Sequence, residues 1–190
     1  MGTGNTTLEI NGKVIWKPGY TVGQRTGALP YSEGSHKFVV KREGCLPAET
    51  SLPVERGKAQ TLIGYAEEIF DEDGNSLGYQ IKIARMRQHT PEKGLVVTFV
   101  SFCKDEKLDL VIEEAMSGET FIHAVDRRRS SRLKLVDEGR VRAVVKHDGE
   151  PIGTIKVDEL GNYVVMIFEN EKGEKQLQTF YDPEFMISGS

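Results

Sequence analysis

The chain has 190 residues, a formal net charge of −4 and two cysteines. That length buries roughly 70% of the unfolded surface on folding, so the sequence demands neither a metal nor a disulfide framework, and Cys45 and Cys103 read as two ordinary thiols, a single bridge between them being the other arrangement. No apolar run approaches the ~18 residues of a membrane-crossing helix, and no basic segment followed by an apolar one opens the chain. We therefore expect a protein off the membrane and not secreted by a signal peptide, cytoplasmic or incorporated in an intracellularly assembled particle, with no cofactor.

The first element predicted is a tight hairpin, Leu8-Glu9-Ile10 and Val14-Ile15-Trp16 flanking Asn11-Gly12, the preferred residue pair of a two-residue turn. From Lys17 to Ser35 the chain is rich in Gly, Pro, Ser and Thr and reads as an extended arm, followed by a short strand from Lys37 to Lys41. Glu43 to Lys58 reads as irregular, with Pro47 and Pro53 excluding regular helix. Irregular stretches this long are characteristically functional, disordered or ordered by a partner.

Gln60 to Cys103 predicts an antiparallel meander of three strands. The run Asp71-Glu72-Asp73-Gly74-Asn75-Ser76 supplies the first turn. Tyr79, Ile81 and Ile83 then alternate against Gln80, Lys82 and Ala84, and a second turn falls at 89–94. Leu95 to Phe102 is apolar on both faces, so a strand buried on both sides is expected. Asp105 to Ser117 predicts one α-helix: Asp105 caps it, Leu108, Val111, Ile112 and Ala115 recur at helical spacing, and Gly118 ends it. Glu119 to Val125 returns as a strand.

From Gly139 a second meander is predicted, with strands over 141–146, 152–157, 163–168 and 176–181 and turns at Asp148-Gly149, Leu160-Gly161-Asn162 and Asn170 to Gly173. The fold class is thus mainly β, antiparallel meanders forming a sandwich or barrel, two small β-units being one arrangement, with one α-helix at about 105–117. The expected organisation is an N-terminal hairpin and arm (1–58), a central meander plus helix (59–125), a basic linker (126–138) and a C-terminal meander (139–190).

The histidines His36, His89, His123 and His147 stand apart from metal-ligand spacing, and 71–75 lacks the later ligands of a calcium loop. No nucleophile elbow, phosphate-cradling glycine loop or zinc-protease motif is present. The densest local signal is Asp126-Arg127-Arg128-Arg129-Ser130-Ser131-Arg132, extended by Lys134, Arg140, Arg142 and Lys146. Clustered guanidiniums repel one another unless solvated or neutralised, and they suit bidentate phosphate or carboxylate contacts. The negative overall charge and the absence of a recognised nucleic-acid motif argue against nucleic acid as the partner.

Arg128-x-x-x-Arg132 resembles the arginine motif of PilZ domains. That resemblance implies a binding module for an anionic nucleotide second messenger, cyclic di-GMP, gripped by Arg128, Arg129 and Arg132. The family's second motif, Asp-x-Ser-x-x-Gly, has a counterpart in Lys156 to Gly161, which keeps Gly161 but has Lys156 for the aspartate and Asp158 for the serine. The resemblance covers about 35 residues, Arg128 to Gly161.

Weighed together, these readings give as the leading expectation a non-catalytic structural or interaction protein, a subunit of a homo-oligomeric or larger assembly such as a virion-type shell, tube or ring. Its partners would be further copies or other subunits. The alternative is the PilZ-like nucleotide-binding module, with an anionic ligand at 127–132.

Overall fold

A computed structural model of the chain describes residues 5–115, 117–135, 141–158, 160–170 and 172–189. Expectations that fall on residues 1–4, Met116, residues 136–140 with Arg140 among them, Glu159, Glu171 and Ser190 lie outside the described residues. The chain forms two compact units, Met1–Arg85 and Met86–Ser190.

In the first unit the strands are β1 (Thr7–Ile10), β2 (Lys13–Val14), β3 (Gly34–Lys41), β4 (Cys45–Leu46), β5 (Ala48–Val54), β6 (Gln60–Phe70) and β7 (Ser76–His89), the last running on into the second unit. An antiparallel sheet has the order β2-β1-β3-β5. Its first hairpin turns at Asn11 and Gly12 with φ of 51° and 78°, the two positive values that the two-residue turn requires. Along β3, His36, Phe38 and Val40 are buried while Lys37 and Lys41 face solvent, where they pair with Glu49 and Glu9 at 2.6 Å each. Ile10 lies opposite Phe38, which gives this sheet its small core.

The stretch expected to be irregular after Glu43 contains β5, an edge strand. Proline excludes helix there as expected, yet Pro53 fits near the end of an edge strand, where a missing N–H breaks no interior ladder. Pairing of β6 with β7 is as the sequence predicts, and β4 adds to β7 in parallel. In the β6–β7 turn, Oδ1 of Asp71 accepts from the N–H groups of Asp73 (3.0 Å) and Asn75 (2.7 Å). These bonds hold the Asp71 carboxyl below the ordinary range, the Asn75 contacts contributing most.

The second unit adds β8 (Leu95–Ser101), β9 (Lys107–Glu114), β10 (Thr120–Asp126), β11 (Ser130–Leu135), β12 (Val141–His147), β13 (Glu150–Val157), β14 (Asn162–Glu169), β15 (Lys175–Tyr181) and β16 (Met186–Gly189). One sheet has the order β10-β9-β12-β13, a second β11-β8-β14-β15, and β16 pairs with the last residues of β7. The two four-stranded sheets share one core: Leu95, Val97, Phe99, Tyr163, Val165 and Ile167 from one, and Leu108, Leu110, Ile112, Val145, Ile155 and Val157 from the other. Burying each such side chain stabilises the fold by roughly 1.5–3 kcal/mol. The sheets do not close into a barrel.

Three sequence expectations change here. The α-helix at 105–117 is replaced by β9, and no helix occurs among the described residues. Leu108, Leu110 and Ile112 are all at most 1% exposed, a period of two; helical winding would have turned Leu110 to the polar face. Ladders to β10 and β12 on both sides satisfy the backbone that a helix would have bonded internally. Gly118, expected to stop the helix, instead closes the β9–β10 hairpin by donating to the carbonyl of Glu114.

The central meander ends after two strands, because β8 pairs with β11 and, in parallel, with β14. Every residue from Leu95 to Ser101 is buried, as the two-faced apolar run predicts. Such a strand belongs between two others in a covered sheet. For the same reason the C-terminal meander breaks at Gly161, where the chain leaves the sheet of β13 for that of β14.

Candidate functional site at the arginine turn

The arginine run is the corner by which the chain passes from one sheet of the second unit to the other. Arg127 N donates to Glu106 O (2.8 Å), which prolongs the β9–β10 ladder by one step. Arg128 N then donates to Ser101 O (2.8 Å) on β8. Between these anchors Arg128 takes φ +61°, a left-handed conformation that costs an ordinary residue free energy and is held by the surrounding bonds. Ser130 opens β11, and its Oγ accepts from Gly189 N at 3.0 Å.

The side chains diverge from this corner. Arg127 is half-buried beside Glu106, Nη1 to Oε1 3.6 Å. Arg128 and Arg129 are exposed. Arg132 lies on β11 opposite Thr98 and pairs with Glu92 at 3.3 Å. Ser131 Oγ lies 2.9 Å from Nε2 of His123, whose ring packs against Phe99 with centroids 5.0 Å apart. Burial holds the His123 imidazole below the ordinary histidine value.

The second half of the PilZ-like pattern sits elsewhere. Gly161 O accepts from Val96 N (3.0 Å), at the start of β8, whereas Arg128 is bonded to Ser101 at its end. Five residue-to-residue steps along the strand separate the two attachments, about 17 Å at the usual rise per residue. Lys156 and Asp158 are exposed, the first on β13 of the other sheet and the second just after it. Gly161 itself has a packing role: with φ +148°, a Cβ there would lie 2.9 Å from the Tyr181 ring. The structure thus brings Arg127, Arg128 and Arg129 to one corner and leaves Asp158 and Gly161 outside it.

Among the described residues, no three His, Cys, Asp or Glu side chains converge as a cation site. In the first unit an open cleft of roughly 440 Å³ is lined by Ile15, Trp16, Tyr20, Gln24, Arg25 and Thr26, where the arm leaves the first hairpin. The arm is tied at one end by reciprocal backbone bonds between Thr6 and Tyr20 (2.8 and 2.7 Å). At the other end, Nε2 of His36 bonds Ser32 O at 2.8 Å. Asn11 Nδ2 donates to Nδ1 of the same ring at 2.9 Å, so the neutral ring with its proton on Nε2 satisfies both contacts. Between the ties, every residue from Thr21 to Pro30 except Gly23 is exposed, Val22 at 62% and Leu29 at 37%.

Sequence reasoning missed one surface feature, the exposure of Ile122 on β10 at 80%. The signal was an isoleucine at the outward position of an alternating strand whose inward residues are Phe121, His123 and Val125. No helix among the described residues is long and apolar enough to cross a membrane. In comparisons with protein-family models and with curated proteins, the chain matches none.

Proposed function

We propose that the protein is a non-catalytic subunit of a homo-oligomeric or larger assembly, such as a shell, tube or ring, and acts through protein–protein contact. The arm between Tyr20 and Ser32 carries this reading: it is anchored at both ends yet presents nearly all its residues, apolar ones included, to solvent. Loops of this length are characteristically functional, disordered or ordered by a partner, and in this reading a neighbouring subunit covers the arm. Phe70 and Leu77, flanking the β6–β7 turn at 54% and 63% exposure, are further apolar contact points.

The test is the solution mass of the chain by light scattering over a concentration series, for the native sequence and for a variant with residues 22–30 replaced by a Gly/Ser segment of equal length. A discrete oligomer that the variant weakens while circular dichroism stays unchanged is the expected result. A native chain that stays at 21.2 kDa throughout overturns self-association as its role.

A further inference from the structure

β10 leaves one row of its backbone groups unpaired by β9. Glu114 N donates to Glu119 O at one end of the β9–β10 ladder, and Arg127 N donates to Glu106 O at the other. With the two-residue repeat of an antiparallel ladder, the bonded pairs between them are Ile112–Phe121, Leu110–His123 and Leu108–Val125. The N–H and C=O groups of Thr120, Ile122 and Ala124 therefore point away from β9, and β10 is the outermost strand of its sheet. All three residues are exposed.

Sheet edges are ordinarily guarded by charge, proline, a bulge or cover. Within the same unit, β11 carries Arg132 and Lys134, β13 carries Pro151 and Lys156 beside a register shift at Val145/Lys146, and β15 is half-buried along almost its whole length. From Thr120 to Val125, β10 has no charged residue, proline or glycine, and Ile122 at its centre is 80% exposed.

We infer that β10 pairs antiparallel with β10 of a second copy of this chain, about a two-fold axis at Ile122. The inference rests on the assembly reading and names one of its interfaces. In this register Ile122 faces Ile122 of the second copy, and Thr120 faces Ala124, so the outward backbone groups of both strands bond each other. On the exposed face Ile122 already neighbours Val111 across the β9–β10 ladder, and the pairing joins Val111 and Ile122 of both copies into one apolar row. No like charges meet, because Glu119 falls opposite Val125 and Asp126 opposite Gly118. Such a contact uses the same patch on both copies and closes on itself as a dimer.

Three variants test the inference. Ile122→Pro removes only an outward N–H that makes no bond to β9, so the fold is retained while the added ladder loses its centre. Ile122→Lys sets two like charges opposite each other. Ile122→Cys, in a Cys45→Ser background, places two thiols face to face at a Cα spacing of about 5.5 Å, suited to a disulfide. We expect Ile122→Pro and Ile122→Lys each to weaken dimerisation by about tenfold or more, equivalent to about 1.4 kcal/mol, and Ile122→Cys to give a disulfide-linked dimer under mild oxidation. A native oligomer that both substitutions leave at full strength, with no cross-link from Ile122→Cys, overturns the β10 pairing and leaves the assembly reading standing. A native chain that is monomeric at every concentration overturns both.

Discussion

Asp105 accepts a charge-assisted hydrogen bond of 2.9 Å from Lys175, joining the corner after β8 to the first residue of β15. The Lys175 ammonium holds the Asp105 carboxyl below the ordinary aspartate range, and Asp105 in turn raises Lys175. Beside them, burial pushes the Cys103 thiol up to about 11, so this cysteine stays protonated and unreactive at neutral pH. Asp105 thus ties the connection between β8 and β9 to the start of β15, where the sequence had suggested a helix cap.

Both partners retain solvent contact, so Asp105→Asn should cost at most about 1 kcal/mol at neutral pH. A depressed aspartate stabilises the fold above its ordinary value of about 3.9 and loses that contribution as the pH falls through its lower folded value. The raised lysine contributes below its own ordinary value and loses this as the pH rises through the folded one. Urea midpoints of native chain and variant should therefore differ at neutral pH and converge in acid; a constant gap would show that the carboxylate charge is not the source.

Leu110 distinguishes a strand at β9 from the helix that the sequence suggested. It is fully buried, whereas Val111, on the neighbouring position, is only partly so. Leu110→Ala should cost about 2–5 kcal/mol, and Val111→Ala within about 1 kcal/mol, both read from urea unfolding. Equal costs, or a larger one at Val111, would contradict the alternation.

Gly153 has φ +156°, and a Cβ there would lie 2.5 Å from Cγ of Leu177. Gly153→Ala should destabilise the fold by about 2 kcal/mol or more, from backbone strain and overpacking together. Adding Leu177→Ala should recover the overpacking part alone, giving a favourable coupling in a double-mutant cycle. Additive costs would place the whole effect in the backbone.

What could be read from the sequence was governed by neighbours along the chain. Asn11-Gly12 and Asp148-Gly149 turn with positive φ at both residues because short-range sterics decide such turns. Asp71 to Asn75 and Asn170 to Glu174 form the same loop, a side-chain oxygen bonding the N–H groups two and four residues on, with Gly74 and Gly173 at positive φ. The burial of Leu95 to Ser101 followed from apolar residues on both faces of one strand.

Tertiary structure decided wherever one stretch satisfied two periods or a motif spanned two elements. Lys107 to Ile112 fits both a helical stripe and a strand's alternation, and the ladders offered by β10 and β12 chose the strand. Arg128 and Gly161 match the spacing of one motif, yet bonds to Ser101 and Val96 hold them at opposite ends of β8. The open edge at Ile122 likewise exists only once β9 has taken the other side of β10. Turn geometry is set by dihedral angles and bonds within a few residues. Strand pairing is set by which distant backbone groups and apolar faces remain to be satisfied, a competition settled across the whole chain.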